Sequence, residues 1–430
     1  MGCCALRTPA RSTRASTRLP RGSQLALWVL GCVVGSAAAA QPLPEFSELL
    51  RQAESSAPRL IEGAAQVQAA QGFARQAAAF PNPSLTIGSE NFGGEPPFND
   101  FNSAETTVSL NTLVEIGGKR GRRIAAGKAD LVLAESSYAQ VRADFAHDLA
   151  IAYATAEAAD ARAALAAEEL TRAEEDLRAA RALVNAGRES DLRAIQAQAL
   201  TAAARADVEA SRADAEEAFI RIASLVGVSE PYAGVGSSLL GIAGRLKIRA
   251  PSEPRPKPAA VLVAEAEREA AARRLELERK RAIPDLTISA GSRHLAIDDK
   301  NAFVVGVSMP VPLFDRNRGA IAARNAELAA AEARVTAAKL EADANWRSAL
   351  AQARAAENRL TASNELESAA GEAYRLARLG YDSGRTPLIE LLTVRRALTD
   401  ARARALDARV ARIEAEATLA RLAGRIPFGE

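Results

Sequence analysis

The chain has 430 residues, a formal net charge of +2 and an aromatic content of only 4%, while Ala, Arg, Glu and Leu are its most frequent residues. This composition favours long helices over a compact mixed core. The sequence has two His, and its three Cys all precede residue 33. We therefore expect neither a zinc centre nor a Cys/His catalytic site in the rest of the chain, and predict a protein that is not an enzyme and uses no cofactor.

Residues 1–40 have the pattern of an export signal. Five Arg and no acidic residue precede an apolar stretch at 25–34, and small residues fill positions 35–40. The apolar stretch is too short to cross a bilayer as a helix. Cleavage before Gln41 would remove these five positive charges and lower the formal net charge from +2 to −3.

A second interpretation of the same segment involves lipid attachment. The Val-Leu-Gly-Cys run at 29–32 has the form of a lipobox, and processing there would leave a lipid on Cys32. Both routes take the protein out of the cytoplasm.

The N-terminal helix predicted at 45–79 is followed by the first of two repeats. An apolar stripe begins at Leu131 and recurs, with steps of three and four residues, 197 positions later at Leu328. The same offset relates Gly227 to Gly424. Upstream the offset drifts to between 199 and 201, and loops tolerate such length changes. The pattern indicates a duplicated structural unit.

Each repeat contains two predicted strands. Apolar and polar residues alternate over 106–114 and again over 303–311, and the partner strands are marked by Leu-x-Ile at 85–87 and 286–288. Alternation with a period of two puts an apolar row and a polar row on opposite faces of a sheet.

Long helices fill the rest of each repeat. The longest would extend about 95 Å, and the stripe predicts coiled-coil packing with Ala at close contacts. His147 is expected on a helix beside Asp148, and His294 in a loop. The predicted helices are 45–79, 119–185, 190–226, 259–281, 317–380 and 387–423. The predicted domains are signal peptide 1–40, N-terminal helix 41–80, repeat 81–228, Pro-rich linker 229–258, repeat 259–424 and tail 425–430.

The strands predict an oligomer. Unpaired backbone N–H and C=O groups are not tolerated in lipid, so a sheet with open edges cannot span a membrane. Four strands are too few for a barrel, since the smallest have about eight. Two chains would supply eight strands and three would supply twelve. The competing interpretation is a soluble α+β periplasmic protein with one small sheet.

Four motifs resemble the TolC-type outer membrane factors, and among these the heavy-metal efflux branch of the CzcC type. They are Phe-Pro-Asn-Pro at 80–83, Leu-Val-Glu-Ile-Gly-Gly-Lys-Arg-Gly at 113–121, Pro-Val-Pro-Leu-Phe at 310–314 and the turn at 380–388. The resemblance covers nearly all of 41–424. It implies a mainly α fold with a small β part, in which tandem long helical hairpins and four amphipathic strands form a trimeric 12-stranded outer-membrane β-barrel and a periplasmic α-barrel.

The resemblance also implies partners. The homotrimer would be a passive exit duct for heavy-metal cations, in contact with outer-membrane lipid, a periplasmic adaptor and an inner-membrane RND pump, with no nucleic acid. The 229–258 linker would lie in the mid-tunnel equatorial region. The alternatives are export of drugs or of a secreted polypeptide and, from another class, a periplasmic coiled-coil scaffold or adaptor.

The two turns between long helices are candidate docking tips. Glycine can take the positive φ that ends a helix, and Thr386 before Pro387 suits an N-cap with Pro at the first helical position. Hairpin chemistry alone also explains these residues. The resemblance implies that the turns meet the adaptor through Gly187, Arg188, Asp191, Gly384, Arg385, Thr386 and Leu388.

Glu390 is a candidate pore gate, because the family often has an acidic residue six positions after this turn glycine. Three copies would form a carboxylate ring that attracts cations and repels itself. The family's second acidic position is Thr393 here, which departs from the pattern. Arg193 is the first-repeat equivalent of Glu390 and would pair with it.

The basic run at 117–123 does not have P-loop spacing. We expect it at the membrane–periplasm border near anionic headgroups. Phe92, Phe98 and Phe101 are expected in the external hairpin loop or an aromatic girdle.

Overall fold

The computed structural model describes residues 41–245, 257–383 and 385–428 of the 430-residue chain. The predicted export signal with Cys32, most of the second half of the Pro-rich linker, and Gly384 lie outside the described residues. The backbone of Leu388 is described, but its side chain is not.

Seven α-helices dominate the described part of the chain. The predicted helical segments agree with them to within two residues, except that 45–79 is two helices separated at Ala57, because Pro58 starts a new helix as its first residue. At 1.5 Å per residue, the 67-residue α3 is about 100 Å long. The helices are α1 Phe46–Ser56, α2 Pro58–Ala77, α3 Lys119–Asn185, α4 Asp191–Val226, α5 Ala259–Arg281, α6 Arg318–Asp382 and α7 Leu388–Leu422.

The four predicted strands form one antiparallel sheet in the order β1-β2-β3-β4. Two predictions are wrong in detail. The fourth strand stops at Ser308 and does not reach Val311, because Pro310 has no N–H to donate to a ladder. His294 lies in a strand opposite Asn301, not in a loop. The strands are β1 Ser84–Glu90, β2 Glu105–Val114, β3 Leu286–Leu295 and β4 Lys300–Ser308.

The two repeats have the same plan. In each repeat, a shorter helix packs on the part of a long helix nearest the sheet, and the long helix forms a hairpin with the helix that follows it. In the first repeat α2 packs on α3 and α3 on α4; in the second α5 packs on α6 and α6 on α7. The repeats also pack on each other through α3 with α5 and α3 with α7. The predicted stripe is buried at alanines and small residues such as Ala331, Val335 and Ala349, which lets helix axes approach closely.

A helix end meets a helix start at the same level in both repeats. Where α4 ends, Val226 accepts a hydrogen bond of 2.7 Å from the Ser56 hydroxyl, just before α2 begins. Gly227 has a φ of 84°, and a Cβ there would lie 2.3 Å from the Ser56 carbonyl oxygen. In the second repeat, Gly424 follows α7 beside the start of α5 at Ala259. Thus α2 begins where α4 ends and α5 begins where α7 ends, although the backbone is not continuous between them.

A hydrophobic core lies around this level. Leu43 and Leu49 are fully buried in it, against the middle of α3 and the end of α4. Phe46 contacts Tyr153 edge-on, with ring centroids 6.1 Å apart, and Phe428 at 5.9 Å. We call this the mid-helix core. It joins the first described residues, both repeats and the last described residues.

The N-terminal segment is fixed to the inter-repeat linker by backbone hydrogen bonds. Leu43 pairs in parallel with Val235. The N–H of Leu43 donates to Gly234 O at 3.0 Å, and the N–H of Gly236 donates to Leu43 O at 3.1 Å. The N–H of Ala233 donates to Gln41 O at 3.0 Å. Gln41 and Leu43 are therefore fixed to the linker by backbone pairing.

Two α3 side chains hold this pairing. The Tyr153 hydroxyl lies 3.0 Å from Pro44 O and 2.8 Å from Ser237 O. The Glu157 carboxylate accepts the N–H groups of Leu239 and Leu240 at 2.8 and 2.9 Å, which satisfies the start of a short 3-10 helix. Burial, reinforced by the negative charges of Glu157 and Glu45, raises the pKa of Tyr153 to about 12.

We expect Tyr153 to make stability sensitive to alkali. A pKa raised in the fold means that the neutral phenol is favoured, so its contribution is complete below pH 10 and is lost as pH rises towards 12. Tyr153→Phe removes the hydroxyl and should lower the free energy of unfolding at pH 7 by about 1 kcal/mol. Thermal unfolding followed by circular dichroism from pH 7 to 12 should show the difference between the two proteins shrinking with pH. A constant difference across that range contradicts this assignment, and Tyr381→Phe, an exposed tyrosine, is the control.

Candidate channel wall and periplasmic tip

The sheet has one apolar face. Directly opposite residues of an antiparallel pair lie on the same face, so the register defines the rows. One row joins Leu85, Leu110, Ala290 and Val305. All four side chains are exposed, and the exposed fraction of Val305 is 77%. The apolar residues of this face are Leu85, Ile87, Val108, Leu110, Ile288, Ala290, Phe303, Val305 and Val307. Thr112, Ser292 and the row of Ser89, Thr106, His294 and Asn301 lie on the same face.

The opposite face is polar. Arg293 donates from Nη1 to Glu105 Oε2 at 2.7 Å and from Nε to Thr107 Oγ1 at 3.0 Å. Asn111 donates to Thr86 Oγ1 at 2.8 Å. The polar residues of this face include Ser84, Thr86, Glu105, Thr107, Ser109, Asn111, Ser289 and Arg293, and Val304 lies in the row of Thr86 and Ser109. This division is typical of a sheet whose apolar face contacts lipid and whose polar face lines an aqueous lumen.

The sheet is open at both sides. Within the described residues, β1 pairs only with β2, and β4 pairs only with β3. Each outer edge therefore presents a row of backbone N–H and C=O groups without strand partners, beside an exposed apolar face. Such edges require pairing in a membrane.

The strand-to-helix turn is a dense set of charged contacts. Gly117 and Gly118 have φ of 72° and 79°, the left-handed region that glycine adopts readily. Lys119 lies 2.7 Å from Asp285 with its side chain 10% exposed. Arg123 binds both Glu115 oxygens, at 2.7 and 3.1 Å. The same guanidinium donates to the carbonyls of Ala77 and Ala79, and Arg120 donates to Ala78 while covering the Phe80 ring at 4.0 Å.

These contacts revise one prediction. Arg122 also has a protein partner, Glu276, at 2.6 Å. The basic run predicted to face headgroups thus binds protein groups, and two of its members, Arg120 and Arg123, donate to the carbonyls at the end of α2, where positive charge is favoured. At the other end of the sheet, Phe92 stacks on Phe101 at 5.5 Å in the β1–β2 loop, and Phe98 lies in the same loop, as predicted.

His147 lies on α3, as predicted. Its Nδ1 is 3.1 Å from Asp148 Oδ1, and its Nε2 is 3.2 Å from Thr418 Oγ1 on α7. In the part of the chain that the structure describes, no group of three or more His, Cys, Asp or Glu is arranged to hold a metal ion. Over those same residues, no helix is both long and apolar enough to cross a membrane.

The tip of the first repeat is a turn closed by backbone bonds. Gly187 has a φ of 67°; its N–H donates to Val184 O and that of Arg188 donates to Leu183 O, both at 2.9 Å. This is the Schellman pattern, which satisfies the last carbonyls of a helix. Arg188 and Asp191 are exposed beyond it.

The tip of the second repeat has the equivalent bond. The N–H of Arg385 donates to Gly380 O at 2.8 Å, and that of Thr386 does so at 3.1 Å. The N-cap prediction for Thr386 is wrong. Pro387 occupies the N-cap position without a side-chain bond, and its carbonyl accepts the Glu390 N–H at 3.1 Å. The Thr386 hydroxyl instead packs against Gly380, where an added Cβ would lie only 2.1 Å from the hydroxyl oxygen.

The candidate gate residues lie in the first turns of α4 and α7. Glu390 is exposed and Arg193 is half-buried. Among the ion pairs of the described residues, none joins Arg193 to Glu390 within one chain, and their pairing stays a prediction. Sequence reasoning missed a different contact, Arg395 on α7, which lies 2.8 Å from Asp176 and 3.2 Å from Glu169 on α3. The spacing of seven between these two acids was the available signal, since it puts both on one helix face.

Relatives in two bacteria match nearly the whole chain. It is 44% identical to the nickel-cobalt-cadmium resistance protein NccC of Alcaligenes xylosoxydans xylosoxydans, over 92% of this chain and 90% of that one. It is also 44% identical to the nickel and cobalt resistance protein CnrC of Cupriavidus metallidurans, over 96% and 97%.

The fold has a solved counterpart. The outer membrane protein VceC of Vibrio cholerae superposes with a TM-score of 0.69 at 21% identity, over 88% of this chain and 96% of that one. The outer membrane efflux protein family matches residues 49–228 and 256–425, one match for each repeat. The amphipathic sheet, the two long hairpins and these matches agree: the chain belongs to the outer membrane efflux protein family, whose members are efflux channels of the outer membrane with a periplasmic extension.

Proposed function

We propose that this channel is the exit duct of a tripartite RND efflux system for heavy-metal cations. One observation carries the proposal: an open sheet with an apolar outer face continues directly into helical hairpins about 100 Å long. Such a subunit can cross a membrane and reach far from it. The resistance functions printed for the two relatives at 44% identity support nickel, cobalt and cadmium as the cations.

Three copies complete the duct. The β4 edge of one copy would pair with the β1 edge of the next, so that twelve strands close with every edge satisfied. The apolar faces would then form a continuous outer band, and the polar faces would line the lumen. The helical hairpins of three copies would enclose the periplasmic tunnel.

The tips are the proposed docking surface for a periplasmic adaptor. The backbone N–H groups of Arg188 and Arg385 donate equivalent hydrogen bonds in the two repeats, and both residues are exposed. Three copies would therefore present six guanidinium groups around the end of the tunnel, a pattern that suits acidic side chains of a partner. Gly187, Asp191, Thr386 and Leu388 shape these turns. Glu390 would face its two copies at the pore, and Arg193 would offset its charge.

We expect a charge on the apolar face to prevent assembly. Val305→Lys should cost about 2–4 kcal/mol near the bilayer midplane. Its neighbour Val304 lies on the polar face, so Val304→Lys is a matched control that should assemble normally. The measurement is the fraction of protein recovered from outer membranes as a heat-sensitive trimer. Equal recovery of the two variants would contradict the assignment of faces.

The contact of Arg395 should hold the start of α7 against α3. Its side chain is 12% exposed, whereas Arg402, which lies 3.5 Å from Glu168, is 35% exposed. Removing one member of a partly buried ion pair leaves carboxylates without their partner. Arg395→Gln should therefore speed amide exchange in the first turns of α7 by roughly tenfold, measured by hydrogen–deuterium exchange mass spectrometry.

Arg402→Gln is the control for this prediction and should change exchange less than twofold, because exposed pairs contribute little. Arg395→Lys keeps the charge but cannot span both acids equally well, so an intermediate rate is expected. The same acceleration in the glutamine variants at both positions would show that Arg395 has no special place at the tip.

The proposed function is tested in a strain that lacks this chain but keeps its pump and adaptor. We expect the strain to lose tolerance to nickel, cobalt or cadmium while tolerating hydrophobic drugs as before. The wild-type chain and Val304→Lys should restore growth, and Val305→Lys should not. Loss of drug tolerance alone would favour the organic-solute duct. Unchanged growth in every condition would refute the efflux role.

A further inference from the structure

We propose that neighbouring copies of this chain are joined by their helices as well as by their strands: α6 of one copy packs along α2 of the next, in the geometry that α3 and α5 have within the chain. This inference rests on the proposed trimer and specifies its helical interface. It follows from equivalent positions of the two repeats that are buried in one repeat and exposed in the other.

Four helices lie side by side next to the sheet, in the same order as the strands. Helix α2 packs on α3, α3 on α5 and α5 on α6. A short segment joins each helix to one strand: α2 leads to β1, β2 to α3, α5 to β3 and β4 to α6. The two outer helices, α2 and α6, therefore lie at the same sides of the subunit as the outer edges of β1 and β4.

The contact between α3 and α5 is an interface between the two repeats. Asp130 on α3 lies 2.7 Å from Arg274 on α5, and Arg122 on α3 lies 2.6 Å from Glu276 on α5. The adjoining strands, β2 and β3, pair in the same interface. This interface therefore shows how the long helix of one repeat meets the shorter helix of the next.

The helix starts and the apolar stripes define which positions are equivalent. Helices α2 and α5 begin 201 residues apart, and their buried residues Leu60 and Val261 have the same offset. For α3 and α6 the offset is 197, the one that relates their stripes. Because α3 and α5 pack on each other, each has a neighbour that its equivalent lacks in the single chain. A position that is buried there and exposed in its equivalent therefore marks this face.

Both faces contain alanines of this kind. Ala126 on α3 is only 4% exposed, whereas its equivalent on α6, Ala323, is exposed. Ala270 on α5 is fully buried, whereas its equivalent on α2, Ala69, is exposed. In the single chain, α6 and α2 thus expose the faces that α3 and α5 bury against each other. Small side chains on both helices allow close approach of their axes.

A large apolar side chain lies on this face of α2. Phe73 is the equivalent of Arg274, which reaches across to Asp130, and Phe73 is 73% exposed. On α6, the equivalent of Asp130 is Glu327, which Arg324 of the same helix already pairs at 2.6 Å. The ion pair within the chain thus corresponds to a phenylalanine and a neutralised carboxylate between chains. Removal of the exposed ring from water would stabilise the contact.

The segment that follows β4 adds apolar surface at the same side. Leu313 and Phe314 in this segment are 67% and 99% exposed. In the first repeat, the segment after β2 lies against the start of β3, because the Ile116 N–H donates to Asp285 Oδ1 at 3.3 Å. The segment after β4 would accordingly lie against the start of β1 in the next copy.

A second copy is the occupant that the strand edges require. The outer edges of β4 and β1 need partners in a membrane, and their pairing between copies places α6 beside α2. The resulting interface is heterologous: each copy uses its α6 face on one neighbour and its α2 face on the other. Such an interface closes into a ring, as a duct requires.

Crosslinking between two marked copies of the full-length chain tests this interface. One copy carries Phe73→Cys and the other carries Glu327→Cys, and the two are co-expressed and treated in outer membranes with a short bismaleimide. We expect a covalent dimer on a denaturing gel only when both variants are present. Each variant expressed alone is a control for the native cysteines, which all precede residue 33.

Ala329→Cys in place of Glu327→Cys is the matched control on α6. Its equivalent, Val132, is exposed even though α3 has a helix on both sides, so Ala329 lies off the proposed face. It should give several-fold less dimer with Phe73→Cys. Equal crosslinking from both α6 positions would show that the faces are wrongly assigned.

A second measurement uses bulk and needs no cysteine. Ala323 and Ala329 are both exposed in the single chain, so neither substitution should disturb its fold. Ala323→Trp should lower the yield of heat-sensitive trimer roughly tenfold, because the two helices could no longer approach closely. Ala329→Trp should assemble as the wild-type chain does.

The outcomes separate this inference from the proposed function. Normal trimers of Ala323→Trp without a mixed crosslink would refute the helical interface and leave the duct intact. A crosslink from Phe73→Cys to a different protein in place of the dimer would also refute it, since another partner would then cover α2. Failure of the wild-type chain to form any trimer would instead refute the proposed duct.

Discussion

The requirement that backbone hydrogen-bonding groups be paired in lipid determines the rest of this structure. A sheet of four strands with an apolar face cannot stand alone in a membrane, because each outer edge would leave N–H and C=O groups without partners. The subunit can therefore cross a membrane only as part of a closed assembly. Its exposed apolar side chains, among them Phe303 at 95%, are unsuited to water and suited to a bilayer.

Duplication gives this incomplete sheet its regularity. Both repeats supply one pair of strands and one long helical hairpin, and they share the mid-helix core. The turns repeat as well: α3 starts after Gly118 and α6 starts after Asn317, each in the left-handed region. A subunit made of two like halves approximates sixfold symmetry in a trimer, which helps three chains to form one even wall.

Much of this fold could be predicted from the sequence, for physical reasons. Stripes with steps of three and four residues fix helices, and alternation with a period of two fixes which strand residues share a face. Ends were less predictable. The strand stop at Ser308 follows from Pro310, a signal that was present, but the position of Thr386 depends on the space left by Gly380 in a neighbouring turn.

In the candidate site, the features that depend on local sequence could be predicted and those that depend on helix packing could not. The two glycine turns were predictable because their requirement is local. The contact of Arg395 with Asp176 and Glu169 was not, since Arg395 and Arg396 are adjacent residues of the same type and only the rotation of α7 against α3 distinguishes them. The partners of Lys119 and Arg123 were missed for a related reason: Asp285 and the carbonyls of α2 are distant in sequence.

The joints between α4 and α2 and between α7 and α5 have a mechanical consequence. Among the helices of the described residues, only α3 and α6 carry unbroken backbone past this level, while α4 with α2 and α7 with α5 are each interrupted there. A twist of the lower half against the upper half would break no helical ladder at those interruptions; the Ser56–Val226 hydrogen bond is the direct link across one of them. In the proposed trimer, such a twist would change the diameter of the far end of the duct and leave that of the membrane end unchanged.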